Sequence, residues 1–484
     1  MTTWCLLFIG VFIATALQSN SASARAGKWV FDPSSPVTAR LTFVDREPDD
    51  TNDNSGQVFQ LSPRFRLSRE GGRAVANINY SPTISVGFGD TNPEFLTHDL
   101  LGTGRFEAVE NRFFIGADAR SGLVGATSSS GFVDAISFKG DNARQAYSFG
   151  ITPEYLQPLN RYASFASRNR VDWVGYSGND DGDGSDGSRG QTLNASIVSG
   201  RHFNAFDWDL SATERRTFYD GDQDDSTRRD YGAGIGYRFG PRWAVNGRIG
   251  YEDNDITTNR SRTNGATWDV GARWTPTPRT SVDANFGERY FGERYSANIS
   301  HRSRRTRLSA GLSRDVTNRR EQQLVDSLFL LEDGSGNPVL DQDGNPIIAN
   351  IPQLENTNED FVNTQLRGAM TITGRRTSVT ITGNISNRDY EVSSRDEDSY
   401  DLTVSASREL GSSISATLTG RTRYVDVSDD GDTDEYGVRL SLSKGLSSRT
   451  SAALNLEYRD YNSDRSGDSY TEKRIGISLT TQLF

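Results

Sequence analysis

Arginine is the dominant basic residue of this chain. Of the 53 basic residues only Lys28, Lys139, Lys444 and Lys473 are lysine, which leaves 53 − 4 = 49 arginines. A guanidinium stays charged in almost any surroundings and offers a planar fork of donors that matches carboxylate or phosphate. Many of the arginines fall on one face of extended segments: Arg64, Arg66, Arg168, Arg170, Arg238, Arg248, Arg273, Arg294, Arg302, Arg305, Arg307, Arg421, Arg423 and Arg439. Rows of arginine lining a pore favour anionic solutes, acidic sugars included, over cations. The alternative is pairing with carboxylates of the same face, such as Asp172, Asp269 and Asp283, which would only stiffen the wall.

Other chemistry is thinly represented. His98, His202 and His301 are far apart in sequence and lie in no metal-binding spacing. The chain has no Gly-x-Ser-x-Gly elbow and no phosphate-binding loop. No enzyme and no cofactor are expected. Asn179-Asp-Asp-Gly-Asp-Gly184 opens like a calcium loop, but its twelfth position is Gly190 rather than the bidentate Glu. Similar acidic runs at Asp222–Asp225, Asp396–Asp398 and Asp429–Glu435 read as solvated loop tips, and the net charge is −11. That acidity argues against nucleic-acid binding, which needs a basic face.

The elements that must carry the arginines repeat with a period of two. In Trp243–Tyr251, residues Trp243, Val245, Ile249 and Tyr251 share one face while Asn246 and Arg248 take the other. The same alternation runs from about residue 57 to Phe484 and suits a wall with lipid outside and water inside. Aromatics mark the rims of the apolar face. Trp208, Trp243 and Trp274 sit at the turn-side ends of their strands; Tyr251, Trp268, Tyr400, Tyr424, Tyr436 and Tyr458 complete the girdle. Trp243 and Tyr251 are separated by roughly 26 Å along the strand, or about 20 Å of height once tilted. Tyr390 and Tyr461 fall out of phase with it.

Composition fits the same picture. At 34% hydrophobic residues and a mean hydropathy of −0.62, a soluble chain this long would struggle to fill its cores. A barrel needs an apolar residue only at every second position. The one continuous apolar run, Cys5–Leu17, is followed by Ala22-Ser-Ala24 and reads as a signal peptide over 1–24, cleaved after residue 24 or 26. Cys5, the only cysteine, lies inside it. Residues 25–35 read as a short periplasmic segment, and 36–484 as the barrel.

Connections alternate between short, as at Gly71-Gly72, Gly240-Pro241 and Gly374-Arg375, and long. Tight periplasmic turns and longer outer loops predict about 22 strands. One connection, 318–358, stands apart. It contains a helical turn at Gln322–Leu331 and a duplicated turn motif, Asp333-Gly-Ser-Gly-Asn-Pro-Val339 and Asp343-Gly-Asn-Pro-Ile347. A loop of this length is usually functional, as a constriction or as a partner surface. The last strand ends on Phe484, a C-terminal aromatic of the kind read by the outer-membrane assembly machinery.

Four stretches resemble the large outer-membrane β-barrel family associated with the PEP-CTERM/exosortase system of exopolysaccharide loci. They are Phe59-Gln-Leu-Ser-Pro-Arg-Phe, Tyr147-Ser-Phe-Gly-Ile-Thr-Pro-Glu-Tyr, Gly287-Glu-Arg-Tyr-Phe-Gly-Glu-Arg-Tyr and Ser313-Arg-Asp-Val-Thr-Asn. The resemblance implies a role in making or exporting an extracellular polysaccharide and brings no catalytic residues with it.

The expectation is therefore an all-β, up-and-down antiparallel transmembrane barrel of the outer membrane, with acidic outer loops and no plug domain. Its leading function is a passive conduit for an anionic or polar polymer, linked to exopolysaccharide export. A general porin, or a non-conducting structural barrel that docks a partner through loop 318–358, are the alternatives. Expected partners are outer-membrane lipid, the assembly machinery, an anionic polysaccharide and periplasmic export components.

Overall fold

The computed structural model describes residues 27–32, 35–48, 54–91, 93, 96–125, 132, 136, 143–177, 187–220, 224–326, 359–393, 395–428, 431–465 and 469–482. The expected signal peptide, most of the 318–358 loop with its duplicated motif, the Asn179 acidic run and Phe484 lie outside them.

All described strands belong to one antiparallel sheet that closes on itself. Closure comes from the first long strand, Pro36–Pro48, pairing with the last, Tyr470–Gln482, through Leu41 opposite Ile477. Closing the sheet leaves no exposed edge, so every wall strand satisfies its backbone within the lipid. Two wall strands are interrupted. Asn54–Pro63 and Phe65–Arg69 pair in one unbroken register with Ala74–Gly89 and form a single strand broken at Arg64. Trp29–Phe31 pairs with Arg69–Leu67 and continues the line of Pro36–Pro48 after a jog held by Ser35, whose N–H and hydroxyl both donate to the Asp32 carbonyl. The barrel thus has 22 strands. Residues 29–31 extend the wall at its turn-side end.

The period of two becomes an inside and an outside. Trp243, Val245, Ile249 and Tyr251 are all exposed on the outer face, as are Ile235, Val270, Leu418, Ile475 and Ile477 on other strands. Trp243 stacks on Trp274 across the strand pair, and Tyr400 faces Tyr424 in register. The out-of-phase aromatics take the opposite direction. Tyr390 is buried against Phe361, and Tyr461 is buried and stacks on Tyr470. They fill the interior instead of joining the girdle.

Connections follow the expected alternation with two exceptions on the loop side. Tyr290-Phe291 joins Thr280–Arg289 to Gly292–Arg302, and residues 428–430 join Ile414–Val427 to Gly431–Gly445. In the first hairpin Gly292 has φ 105°, a conformation that side chains rarely adopt. Gly292→Ala is expected to cost about 1–2 kcal/mol from backbone strain alone, since open space surrounds the added Cβ. Gly368→Ala, which also meets nothing, should leave the urea unfolding midpoint of the lipid-inserted barrel almost unchanged. Equal midpoints for the two variants would contradict the strain argument.

The expectation of an unplugged barrel is corrected in one respect: no plug domain stands among the described residues, but the start of the 318–358 connection turns into the lumen, as the constriction alternative expects. The helix Arg319–Asp326 follows the strand Thr306–Asn318 yet touches Arg120 on Phe113–Gly125. Those two strands stand ten places apart in a ring of 22. Such a contact can be made only across the interior. Phe132 and Ile136 enter the lumen as well: Ile136 packs on the buried Val44 and Val58, and Phe132 lies under the Arg421 guanidinium. The chain itself occupies part of its lumen.

Candidate functional site

The inner wall is where polar side chains converge. Arg66, Arg168, Arg170, Arg238, Arg248, Arg273, Arg294, Arg302, Arg307, Arg421, Arg423 and Arg439 alternate with the lipid-facing residues of their strands and so point inward, and Arg64, at the break between two strand segments, is buried. Arg305 does not: it lies in the tight turn between Gly292–Arg302 and Thr306–Asn318, where its N–H donates to the Ser303 hydroxyl. Arg302, at the end of its strand, marks the turn-side rim.

Most inward arginines have carboxylate partners. Arg170 bonds Asp118 and Asp172, Arg248 bonds Asp209 at 2.7 Å, Arg294 bonds Asp315 at 2.8 Å, and Arg273 pairs with Asp283. The two ends of the barrel nevertheless differ. Toward the turn side, which in such barrels faces the periplasm, Arg105, Arg168, Arg238 and Arg273 are between 55% and 72% exposed, each more so than its carboxylate partner. At the loop side a group of charges is sealed in. Arg388, Glu397, Glu435, Arg459 and Glu472 are at most 2% exposed.

Those sealed charges include residues of the acidic runs. Glu397 pairs with Arg388 directly across the strand pair and accepts the Tyr390 hydroxyl at 3.2 Å. Glu435 accepts the Phe132 N–H, and Arg459 donates to the Phe132 carbonyl at 3.1 Å. Glu457 gathers Arg421, Arg439 and Arg459 at 3.2, 2.7 and 2.7 Å. The runs at Asp396–Asp398 and Asp429–Glu435 are therefore not wholly solvated tips; Glu397 and Glu435 hold the interior together.

The helix Arg319–Asp326 crosses the lumen on a comparable network. Asn318 caps it by accepting the Glu321 N–H at 2.9 Å. The Glu321 carboxylate accepts from Arg215 at 2.7 Å and Arg228 at 3.5 Å. Arg228 is held in turn by Asp360 at 2.5 Å. Arg320 reaches Asp172 and donates to the Ser188 hydroxyl at 3.0 Å, Arg120 donates to the Leu324 carbonyl at 2.7 Å, and Arg319 covers the Tyr176 ring at 4.2 Å. Burial alone would raise the Glu321 carboxyl, but Arg215 and Arg228 outweigh it and hold that group below the ordinary carboxylate range. The helix begins at Arg319, three residues before the expected start. The Asn318-x-x-Glu321 capping pattern was the available signal for that start.

The histidines stand apart. His98 bonds the Tyr80 hydroxyl through Nδ1 at 2.9 Å, His202 packs edge-on against Tyr162, and His301 Nδ1 meets the Thr280 hydroxyl at 2.9 Å. Among the described residues no group of His, Cys, Asp or Glu has a geometry that would hold a metal ion.

No family model matches the chain, and no curated protein matches it. Solved structures that match the chain include siderophore receptors and an iron transporter. The siderophore receptor PirA from Pseudomonas aeruginosa is 11% identical, over 92% of this chain and 79% of that one, with a TM-score of 0.43. The ferric-catecholate import receptor Fiu from E. coli K12, in its open form, is 11% identical over 92% and 81%, with a TM-score of 0.48. The FrpB iron transporter from Neisseria meningitidis is 11% identical over 92% and 82%, with a TM-score of 0.47. A closed antiparallel barrel with an apolar outer face and a polar lumen is the architecture of an outer-membrane protein, and the chain has it.

Proposed function

We propose that this barrel is a conduit for polar, anionic solutes, closed toward the cell surface in the conformation described. One observation carries the reading: in four turn-side pairs, Arg105–Glu154, Arg168–Glu154, Arg238–Asp207 and Arg273–Asp283, the guanidinium is the more exposed partner and is more than half exposed to the lumen. A dissolved anion entering from the periplasm would therefore meet positive charge first. Farther in, the buried pairs and the crossing helix narrow the path, so passage requires that helix to move. An extracellular polysaccharide is the polymer that the family resemblance implies, and an anionic one would need the same opening.

A second reading has its own support. Saturated ion pairs and inward-folded segments also suit a non-conducting barrel with a structural role. Single-channel recording in a planar bilayer under a salt gradient separates the two. The conduit reading expects anion-selective conductance whose selectivity falls toward unity in Arg168→Ala/Arg273→Ala. Those arginines are 72% and 66% exposed, so removing them costs the fold little. A folded barrel that passes no current in any condition would leave the structural reading standing.

A further inference from the structure

We infer that Arg215 and Arg228 form a binding site for a carboxylate-bearing solute, and that Glu321 of the crossing helix occupies it when no such solute is present. The inference rests on the conduit reading and names the group that would open the path. Arg215 and Arg228 stand on neighbouring wall strands, Phe206–Tyr219 and Ser226–Arg238, directly opposed in register. Both send their Nη1 to one oxygen of Glu321, at 2.7 and 3.5 Å. Two guanidinium groups converging on one carboxylate oxygen is an arrangement that recognises any carboxylate.

Glu321 belongs to a connection rather than to the wall. Its helix departs from the strand Thr306–Asn318 and arrives at this site by crossing the interior. The arginines belong to the wall, and Arg228 is additionally fixed by Asp360, the first residue of the strand Asp360–Thr373. The site therefore persists when the helix leaves, with both donors in place and the Glu321 carboxylate gone. Further ties, Arg320 to Asp172 and Ser188, Arg319 over the Tyr176 ring and Arg120 to the Leu324 carbonyl, give the helix a second anchorage that must also yield. A uronate competing for the two arginines exchanges one carboxylate for another. It shifts the population toward the released helix only by its preference for the vacated site.

The test uses the wild-type barrel in outer-membrane vesicles. Arg319 and Arg320 are trypsin sites, each 4% exposed while the helix is in place. Cleavage after them, followed by mass spectrometry, reports release of the helix. Glucuronate is expected to accelerate that cleavage roughly tenfold or more, while glucose at the same concentration leaves it unchanged. Glu321→Gln should be cleaved at the fast rate without any solute. Arg215→Gln should need roughly tenfold more glucuronate for the same acceleration. Equal effects of glucuronate and glucose, or none from either on the wild type, would overturn the site. Conductance recorded in parallel keeps the two proposals distinct. Glucuronate-dependent cleavage without current sinks the conduit and leaves the site, whereas anion-selective current with unaffected cleavage does the reverse.

Discussion

Arg388→Ala should lower the unfolding free energy of the lipid-inserted barrel by about 3–5 kcal/mol, read as a fall in the urea midpoint. Arg388 and Glu397 are each 1% exposed and stand directly opposite one another on adjacent strands. The Tyr390 hydroxyl donates to the second oxygen of Glu397, and that tyrosine is itself packed on Phe361. Removing the guanidinium strands an ionised carboxylate in a site sealed from water, and one neutral hydroxyl cannot replace its counter-charge. The double variant Arg388→Met/Glu397→Gln removes both charges while keeping much of the volume, so it should cost clearly less than the single change. A surface pair gives the contrast. Arg273 is 66% exposed, and Arg273→Ala should cost at most about 1 kcal/mol despite its bond to Asp283. If Arg388→Ala and Arg273→Ala shift the midpoint equally, the burial of the first pair has no energetic meaning and the loop-side seal falls with it.

That contrast shows where the sequence could be read and where it could not. The alternation of Trp243, Val245, Ile249 and Tyr251 with Asn246 and Arg248 made the wall legible, because lipid outside and water inside impose opposite chemistry on successive residues. Arg388 and Arg273 look alike in such a pattern: both are inward positions facing a carboxylate. Their difference comes from what packs on them: Arg388 lies over the Phe361 ring and its partner Glu397 accepts the Tyr390 hydroxyl, whereas Arg273 stays open to the lumen. Glu397 and Glu435 were misjudged for the same reason, since an acidic run near a loop carries no local mark of being buried. Tyr390 and Tyr461 did carry a mark. Their phase pointed inward, and an aromatic on the wet face of a barrel strand asks for a partner there, which Phe361 and Tyr470 supply. The inward path of the 319–326 helix was only half legible. Asn318 and Glu321 announce a helix start, but nothing within those residues says that Arg215 and Arg228 wait on other strands of the wall.

Ile235→Arg tests the outer face as directly as Arg388→Ala tests the inner one. Ile235 is 61% exposed and stands opposite Gly247, midway along the strand between Trp243 and Tyr251, and therefore near the middle of the apolar band. An arginine there must leave its charge in hydrocarbon or bend the bilayer to reach water, which costs about 2–4 kcal/mol at the midplane and falls toward the interfaces. Tyr231 and Tyr237, which share the face four residues above and two below it, hold the strand at fixed depth and limit how far the backbone can slide to relieve that cost. The control lies one strand away. Asn246 opposes Gly236, is exposed and points into the lumen, so Asn246→Arg should stay within about 0.5 kcal/mol of the wild type. Reversible folding into lipid vesicles against urea measures both variants. A large loss for Ile235→Arg with none for Asn246→Arg is what a lipid-facing Ile235 and a wet Asn246 require. Matching losses would mean that the two faces of the wall have been assigned to the wrong solvents.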